Sequence, residues 1–226
     1  MSLASGARPS FTGLRAERIA ENLARVRERI GGAGADPAAV EICAAIKYVA
    51  AAELPALAEA GIDLVGENRA QDLLAKRAEH AGLFTWDFIG ALQSRKVRHL
   101  AGAVRLIHSV ASESALRRLA DHPVPEILIE VNVAMEAGKA GIAPAELPGF
   151  LARAPVPVTG LMTMPPAAER PEDSRRHFAR LAELGAEHGL ARLSMGTTQD
   201  LEVAVAEGAT IVRLGSVLYE GAGGAS

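Results

Sequence analysis

The strongest constraint on the fold of this chain is an alternation. Short apolar runs rich in β-branched residues recur along it, and each is followed by a stretch with helical periodicity. The β-type runs are 41–47, 62–66, 85–89, 104–109, 126–133, 157–163, 191–195 and 209–214. Helical spacing falls between them, near 51–60, 67–80, 93–101, 112–120, 144–153, 172–188 and 198–207. A further helical segment, roughly 11–30, precedes the first strand. Runs such as ILIEVNV and TIVRL are apolar and β-branched, as expected of parallel strands buried on both faces. Ser112 and Thr198 stand where helix N-caps belong, and Gly61, Gly189 and Gly208 where helices should stop. Eight such units in 226 residues predict one (β/α)8 TIM barrel with an extra N-terminal helix. A doubly wound open sheet is the alternative. The barrel spans 11–221 as a single domain, with residues 1–10 and 222–226 expected as flexible ends.

Composition excludes several classes of function. A net charge of −3, with arginines interspersed among acids, offers no basic patch for nucleic acid. There is no apolar run of about 18 residues to cross a membrane, and the first ten residues lack the apolar core of a signal peptide. The single cysteine, Cys43, permits no intrachain disulfide and reads as a small core residue. A cytoplasmic location is the expectation. The histidines show no HxH or HExxH spacing, so no metal site is indicated.

Lysine is rare here. Only Lys47, Lys76, Lys96 and Lys139 occur, and arginine supplies the rest of the 24 basic residues. In the first strand Ile42, Ala44 and Ile46 share one face, and Cys43, Ala45 and Lys47 the other. The larger apolar set should meet the helices. The small set then faces inward, with Lys47 at the C-terminal mouth, where such barrels carry their sites. A lysine held there can act as an amine nucleophile, and arginine cannot form a Schiff base. The competing reading is a lysine that reaches solvent or pairs with Glu67.

Two loops add an anion site. The seventh strand runs into Gly196, Thr197 and Thr198, and the eighth into Gly215 and Ser216. Glycine lets a ligand approach the backbone, and hydroxyls with N–H groups can hold phosphate. The same residues also make ordinary turns. Arg213, inside TIVRL, should share the barrel interior with Ile211 and needs an acceptor, either Glu130 or a ligand atom. Asn68 follows the second strand at the same mouth and is also a plausible N-cap. His108, Met162 and Met164 read as packing residues, and Lys139 as exposed.

The stretches AIKYV, GENRAQD, FIGALQSRK, IHSV, EVNVAMEAGKAGI, GLMTM, LSMGTTQD and RLGSVLYEG occur in this order. Together they resemble the pyridoxal phosphate homeostasis protein family over about residues 15–221. The resemblance implies a barrel like the N-terminal domain of alanine racemase, with pyridoxal 5'-phosphate (PLP) in its mouth. It implies that Lys47 holds PLP through its amine and that Arg213 faces the pyridine nitrogen. Thr198, Gly215 and Ser216 would then hold the phosphate, Gly196 and Thr197 would shape that loop, and Asn68 and Met162 would border the ring. This chain departs from the family pattern at Tyr48, along Ala91 to Lys96, and at Thr197 and Gln199.

Alanine racemase adds a second domain whose tyrosine serves as one of two bases. No such domain is readable here, and the two tyrosines are Tyr48 and Tyr219. The expectation is therefore a monomeric PLP-binding protein that stores, shields or delivers the cofactor, with PLP-dependent apo-enzymes as transient partners and no dependable catalysis. A racemase-like enzyme, and a Schiff-base lyase acting on a sugar phosphate without PLP, are the alternatives.

Overall fold

A computed structural model describes residues 11–223. Helix α1 (Ala16–Gly32) comes first. Its Ile19, Leu23, Val26 and Ile30 fall at helical spacing and are buried along one stripe. Full burial of each such side chain contributes about 1.5–3 kcal/mol.

Eight strands follow: β1 (Glu41–Ala45), β2 (Leu64–Glu67), β3 (Thr85–Phe88), β4 (Leu106–Val110), β5 (Glu126–Glu130), β6 (Val158–Met162), β7 (Arg192–Ser194) and β8 (Ile211–Leu214). Each pairs in parallel with the next, and β8 returns to β1 in the register Cys43 with Arg213. The sheet is a closed barrel, so the open-sheet alternative does not apply. The intervening helices are α2 (Leu54–Glu59), α3 (Ala70–His80), α4 (Val97–Leu100), α5 (Glu113–Asp121), α6 (Leu147–Arg153), α7 (Arg175–Glu187) and α8 (Leu201–Ala206), and one turn of helix, α9 (Ser216–Tyr219), follows β8.

The outer faces of the strands and the helices form one continuous apolar layer. Inside the barrel lies a second, smaller cluster: Cys43, Leu64, Leu106, Leu128, Met162 and Ile211, with Ile89 against it. Beneath that cluster, at the N-terminal end of the barrel, charge replaces hydrocarbon. Arg105 bridges Glu41 and Asp87, and Arg192 bridges Glu41 and Glu126. The barrel floor is thus tied by ion pairs between strand starts.

Local signals act as expected at most helix ends. Ser112 Oγ accepts the Ala115 N–H at 3.2 Å as N-cap of α5. Gly61, Gly189 and Gly208 all have positive φ. Thr198 is not a cap, because α8 begins only at Leu201 with Asp200 in the cap position. Asn68 is not one either, since the cap position of α3 is Arg69. The strand expected to run to 133 ends at Glu130, where the chain bridges Val131 to Ile142 and turns through Met135 at a φ of 53°. At the C-terminus the chain stays packed beyond 221: Ala222 is buried and accepts the Arg15 N–H. The ends expected at 1–10 and 224–226 lie outside the described residues.

Candidate functional site

The C-terminal mouth of the barrel gathers the residues that the alternation of β1 pointed to. Cys43 faces the interior cluster, while Ala44 and Ile46 face the helices. Lys47 therefore leaves β1 on the inner side and is exposed at the rim. Its Nζ lies 4.8 Å from the centroid of the Tyr48 ring, and no carboxylate among the described residues lies within ion-pair distance of it.

The expected rival partner, Glu67, is engaged elsewhere. Lys76, from α3, puts Nζ 2.6 Å from Glu67 Oε2 and 2.7 Å from the Ile46 carbonyl. Glu67 Oε1 in turn accepts the Asn68 N–H at 2.6 Å. One buried ion pair thus ties down the residue before Lys47 and the backbone of Asn68. Nothing in the sequence singled out Lys76, although its rarity as a lysine was a usable signal.

Two cavities meet at Lys47. The larger, about 580 Å³, is lined by Lys47, Tyr48, Thr198, Arg213, Gly215 and Ser216, with Thr197 at its edge. The smaller, about 340 Å³, is lined by Lys47, Asn68, Glu130, Lys139, Met162 and Arg213, among others. Gly196 lines a third recess behind the β7 loop. It has a φ of 91°, and a Cβ there would come 2.5 Å from Ala204 Cβ, so only glycine fits. Thr197 does not offer its hydroxyl freely: Asp200 Oδ1 accepts both its N–H (2.7 Å) and its Oγ1–H (3.0 Å). Thr198 is half-buried, Ser216 is exposed, and both hydroxyls are without a partner among the described residues. Gly90 fixes the other side of the mouth, because a Cβ there would meet the Asn68 carbonyl oxygen at 1.9 Å.

Arg213 is buried in the interior, as its register with Cys43 requires. It makes no ion pair with Glu130. Its Nη1 donates to Ser194 Oγ, and its Nη2 to the Thr163 carbonyl (3.0 Å) and Met164 Sδ (2.8 Å). All three acceptors are neutral. Burial accordingly pushes the guanidinium below its ordinary pKa. Arg213 lines both cavities, and not all of its five N–H donors are taken by these bonds.

Behind Ser194 the hydrogen bonds continue. His108 Nδ1 lies 2.8 Å from Ser194 Oγ, and His108 Nε2 lies 3.1 Å from Asp87 Oδ2. Asp87 is held in turn by Arg105 Nε (3.0 Å) and Nη2 (2.6 Å). Ser194 Oγ accepts from Arg213, so its own proton goes to His108 Nδ1. His108 then carries its proton on Nε2 and donates to Asp87. Burial lowers the His108 pKa, and the neutral imidazole fits the chain. Burial pushes Asp87 up, but the hydrogen bonds from His108 and Arg105 outweigh it and hold the carboxyl below its usual range. Polar residues at inward positions of apolar strands (Asp87, His108, Ser194) were the overlooked signal. Met162 packs in the interior cluster, as expected, and its side chain also borders the smaller cavity. Among the described residues no three His, Cys, Asp or Glu side chains are grouped to hold a metal ion, and no helix is long and apolar enough to cross a membrane.

The fold and site together define a class: a barrel of the alanine racemase N-terminal type with a lysine just past the end of its first strand. The family model described as "Alanine racemase, N-terminal domain" matches residues 14–222. The chain belongs to the pyridoxal phosphate homeostasis protein family. It is 39% identical over 219 residues to the protein of that name from Aquifex aeolicus, covering 90% of this chain and 96% of that one. It is 42% identical over 217 residues to the Pseudomonas aeruginosa protein, covering 90% and 94%. Among solved structures it is similar to PipY of Synechococcus elongatus with PLP bound, at a TM-score of 0.76 and 33% identity, covering 89% of this chain and 99% of that one. Alanine racemase from Corynebacterium glutamicum shares the fold, at a TM-score of 0.68 and 16% identity, with 91% and 61% covered.

Proposed function

We propose that this protein binds PLP across the two mouth cavities that meet at Lys47 and acts in PLP homeostasis as a carrier, without dependable catalysis of its own. The observation that carries the reading is the placement of Lys47: an amine without a carboxylate partner lines one cavity with two unspent hydroxyls and a buried arginine. PLP supplies an aldehyde, which an amine can capture, together with a phosphate and a ring nitrogen. Lys47 fits the first, Thr198, Gly215 and Ser216 the second, and the unspent N–H donors of Arg213 the third. Gly196 and Thr197 shape the phosphate loop, and Asn68 and Met162 border the ring. PLP bound to PipY, a relative at 33% identity, supports the same ligand here.

The carrier reading is supported by what stands around Lys47. Racemisation needs a second base across the substrate from the lysine. Tyr219 is fully buried, and burial pushes its hydroxyl far above the usual tyrosine range. Tyr48 packs beside Lys47 rather than across from it. Glu130 lines the smaller cavity together with Lys47, and an acid there favours the rival, racemase-like reading. A monomer with PLP-dependent apo-enzymes as transient partners, working in the cytoplasm, completes the proposal.

The test is direct. PLP added to cofactor-free protein should give a visible absorbance band that survives gel filtration, and Lys47→Ala should lack it. Lys47→Ala protein that retains the band overturns the assignment. Single-enantiomer alanine then separates carrier from enzyme: racemisation that vanishes with Lys47→Ala overturns the carrier reading.

A further inference from the structure

We infer that Phe11, carried on a short strap ahead of α1, is a binding residue that slows the release of a phosphate-bearing ligand, and that Glu53 is the latch of that strap. The Phe11 ring lines the larger cavity together with Lys47, Tyr48, Thr198, Gly215 and Ser216. Among the described residues of that lining, Phe11 and Ala45 alone carry purely hydrocarbon side chains. Residues 11–13 precede the stretch that the family model matches, 14–222, so the family likeness assigns Phe11 no role.

The strap holds the ring in place from several sides. Phe11 is half-buried and packs at a tilt on Tyr219, with ring centroids 5.2 Å apart. Its N–H donates to the Tyr48 carbonyl at 2.8 Å, in a short parallel bridge with Val49. Gly13, at a φ of 64°, turns the chain, and its N–H and that of Leu14 both reach the Glu53 carboxylate, at 2.9 and 2.8 Å. Glu53 ends the 3-10 turn (Ala51–Glu53) that leads into α2. Hydrogen bonds to a carboxylate are stronger than those between neutral groups, so this latch is firm. Beyond it, the Arg15 N–H donates to the Ala222 carbonyl at 3.0 Å, and Leu14 is buried in the core.

A ring fixed in advance loses little freedom when a ligand arrives. In the same cavity as the unspent hydroxyls of Thr198 and Ser216, it keeps water from one flank of an anion held there. Charge-assisted hydrogen bonds strengthen as water is excluded. Lys47 and Ser216 are exposed, so a ligand enters without displacing the strap. Phe11 therefore acts on release and not on uptake. That the ligand is PLP captured by Lys47 rests on the proposed function; the wall itself does not.

The test uses the full chain without cofactor and two ligands: PLP, followed by its visible band, and pyridoxine 5'-phosphate, an alcohol with no aldehyde for Lys47, followed by calorimetry. Phe11→Ala should release PLP about five- to tenfold faster, with uptake unchanged within about twofold. It should weaken the alcohol by about the same five- to tenfold factor. Phe11→Leu, which keeps hydrocarbon against Tyr219 but reaches less far, provides the same comparison should Phe11→Ala fail to fold. Glu53→Gln should speed deuterium exchange at the Leu14 amide and PLP release together; faster exchange with unchanged release overturns the latch. Uptake and release that quicken equally would make the strap a gate and overturn the wall. Folded Phe11 variants that hold both ligands normally overturn this inference alone. Alcohol binding that weakens in those variants, with no PLP band in any protein, overturns the proposed function alone. Protein that binds neither ligand overturns both.

Discussion

Lys76 Nζ sits 2.6 Å from Glu67 Oε2, with the Lys76 side chain 11% exposed and that of Glu67 fully buried. The pair joins α3 to β2, and through the Ile46 carbonyl it also holds the end of β1. Lys76→Met would leave Glu67 as an uncompensated buried charge. Removing one partner of such a pair costs about 3–5 kcal/mol. Urea unfolding should show that loss, and Glu67→Gln added to Lys76→Met should recover part of it. Additive losses in the double variant would mean that the two side chains do not act as a pair.

Gly90 predicts a second, local effect. A Cβ at 1.9 Å from the Asn68 carbonyl oxygen cannot be accommodated without moving backbone. Gly90→Ala should destabilise the fold by about 1–3 kcal/mol, the range for forced overpacking. It should also shift the Asn68 amide resonance more than Gly82→Ala does, since a Cβ at Gly82 meets nothing within 4 Å.

The His108 chain predicts a pH dependence. Its pKa is lowered in the folded state, chiefly by burial, so the unfolded chain binds the proton more tightly. This contribution to stability is present above the unfolded value of about 6.5 and is lost as pH falls through the folded value. Thermal unfolding should show a drop in stability below about pH 6.5. His108→Gln, which can still donate to Asp87, should flatten that drop while Asp87 stays ionised. An equal slope in both proteins would mean that His108 is not the group responsible.

Thr198 and Ser216 should matter for ligand retention and not for folding. Both side chains reach the larger cavity, and neither is fully buried. Thr198→Ala with Ser216→Ala should release PLP faster in dialysis while changing unfolding free energy by about 0.5 kcal/mol or less. Retention equal to that of the unaltered protein would put the phosphate elsewhere.

Much of this was legible along the chain because strand alternation and helix spacing are local. Counting by two from Cys43 suffices to turn Lys47 inward, and the same count sends Arg213 inward with Ile211. Thr198 shows where local reading falls short. A threonine before QDLEVAVAEG has the form of a cap, but Asp200 accepts the Thr197 N–H and delays the helix to Leu201. Glu130 and Arg213 likewise invite pairing by type, yet the acceptors Arg213 uses come from the segment just after β6 and from β7.

The sequence by itself determined the eight βα units, the parallel direction of their strands and the rim position of Lys47, since each follows from backbone periodicity within a few residues. Only the tertiary structure decided which polar groups meet. Lys76 takes Glu67 across nine residues, His108 meets Ser194 across 86, and Asn22 of α1 donates to the Leu218 carbonyl across 196. Barrel closure brings those segments together, and an acceptor taken by one donor is spent for the others. That is how Lys47 comes to face the cavity without a carboxylate, although Glu67 directly follows Gly66, the register partner of Ala45.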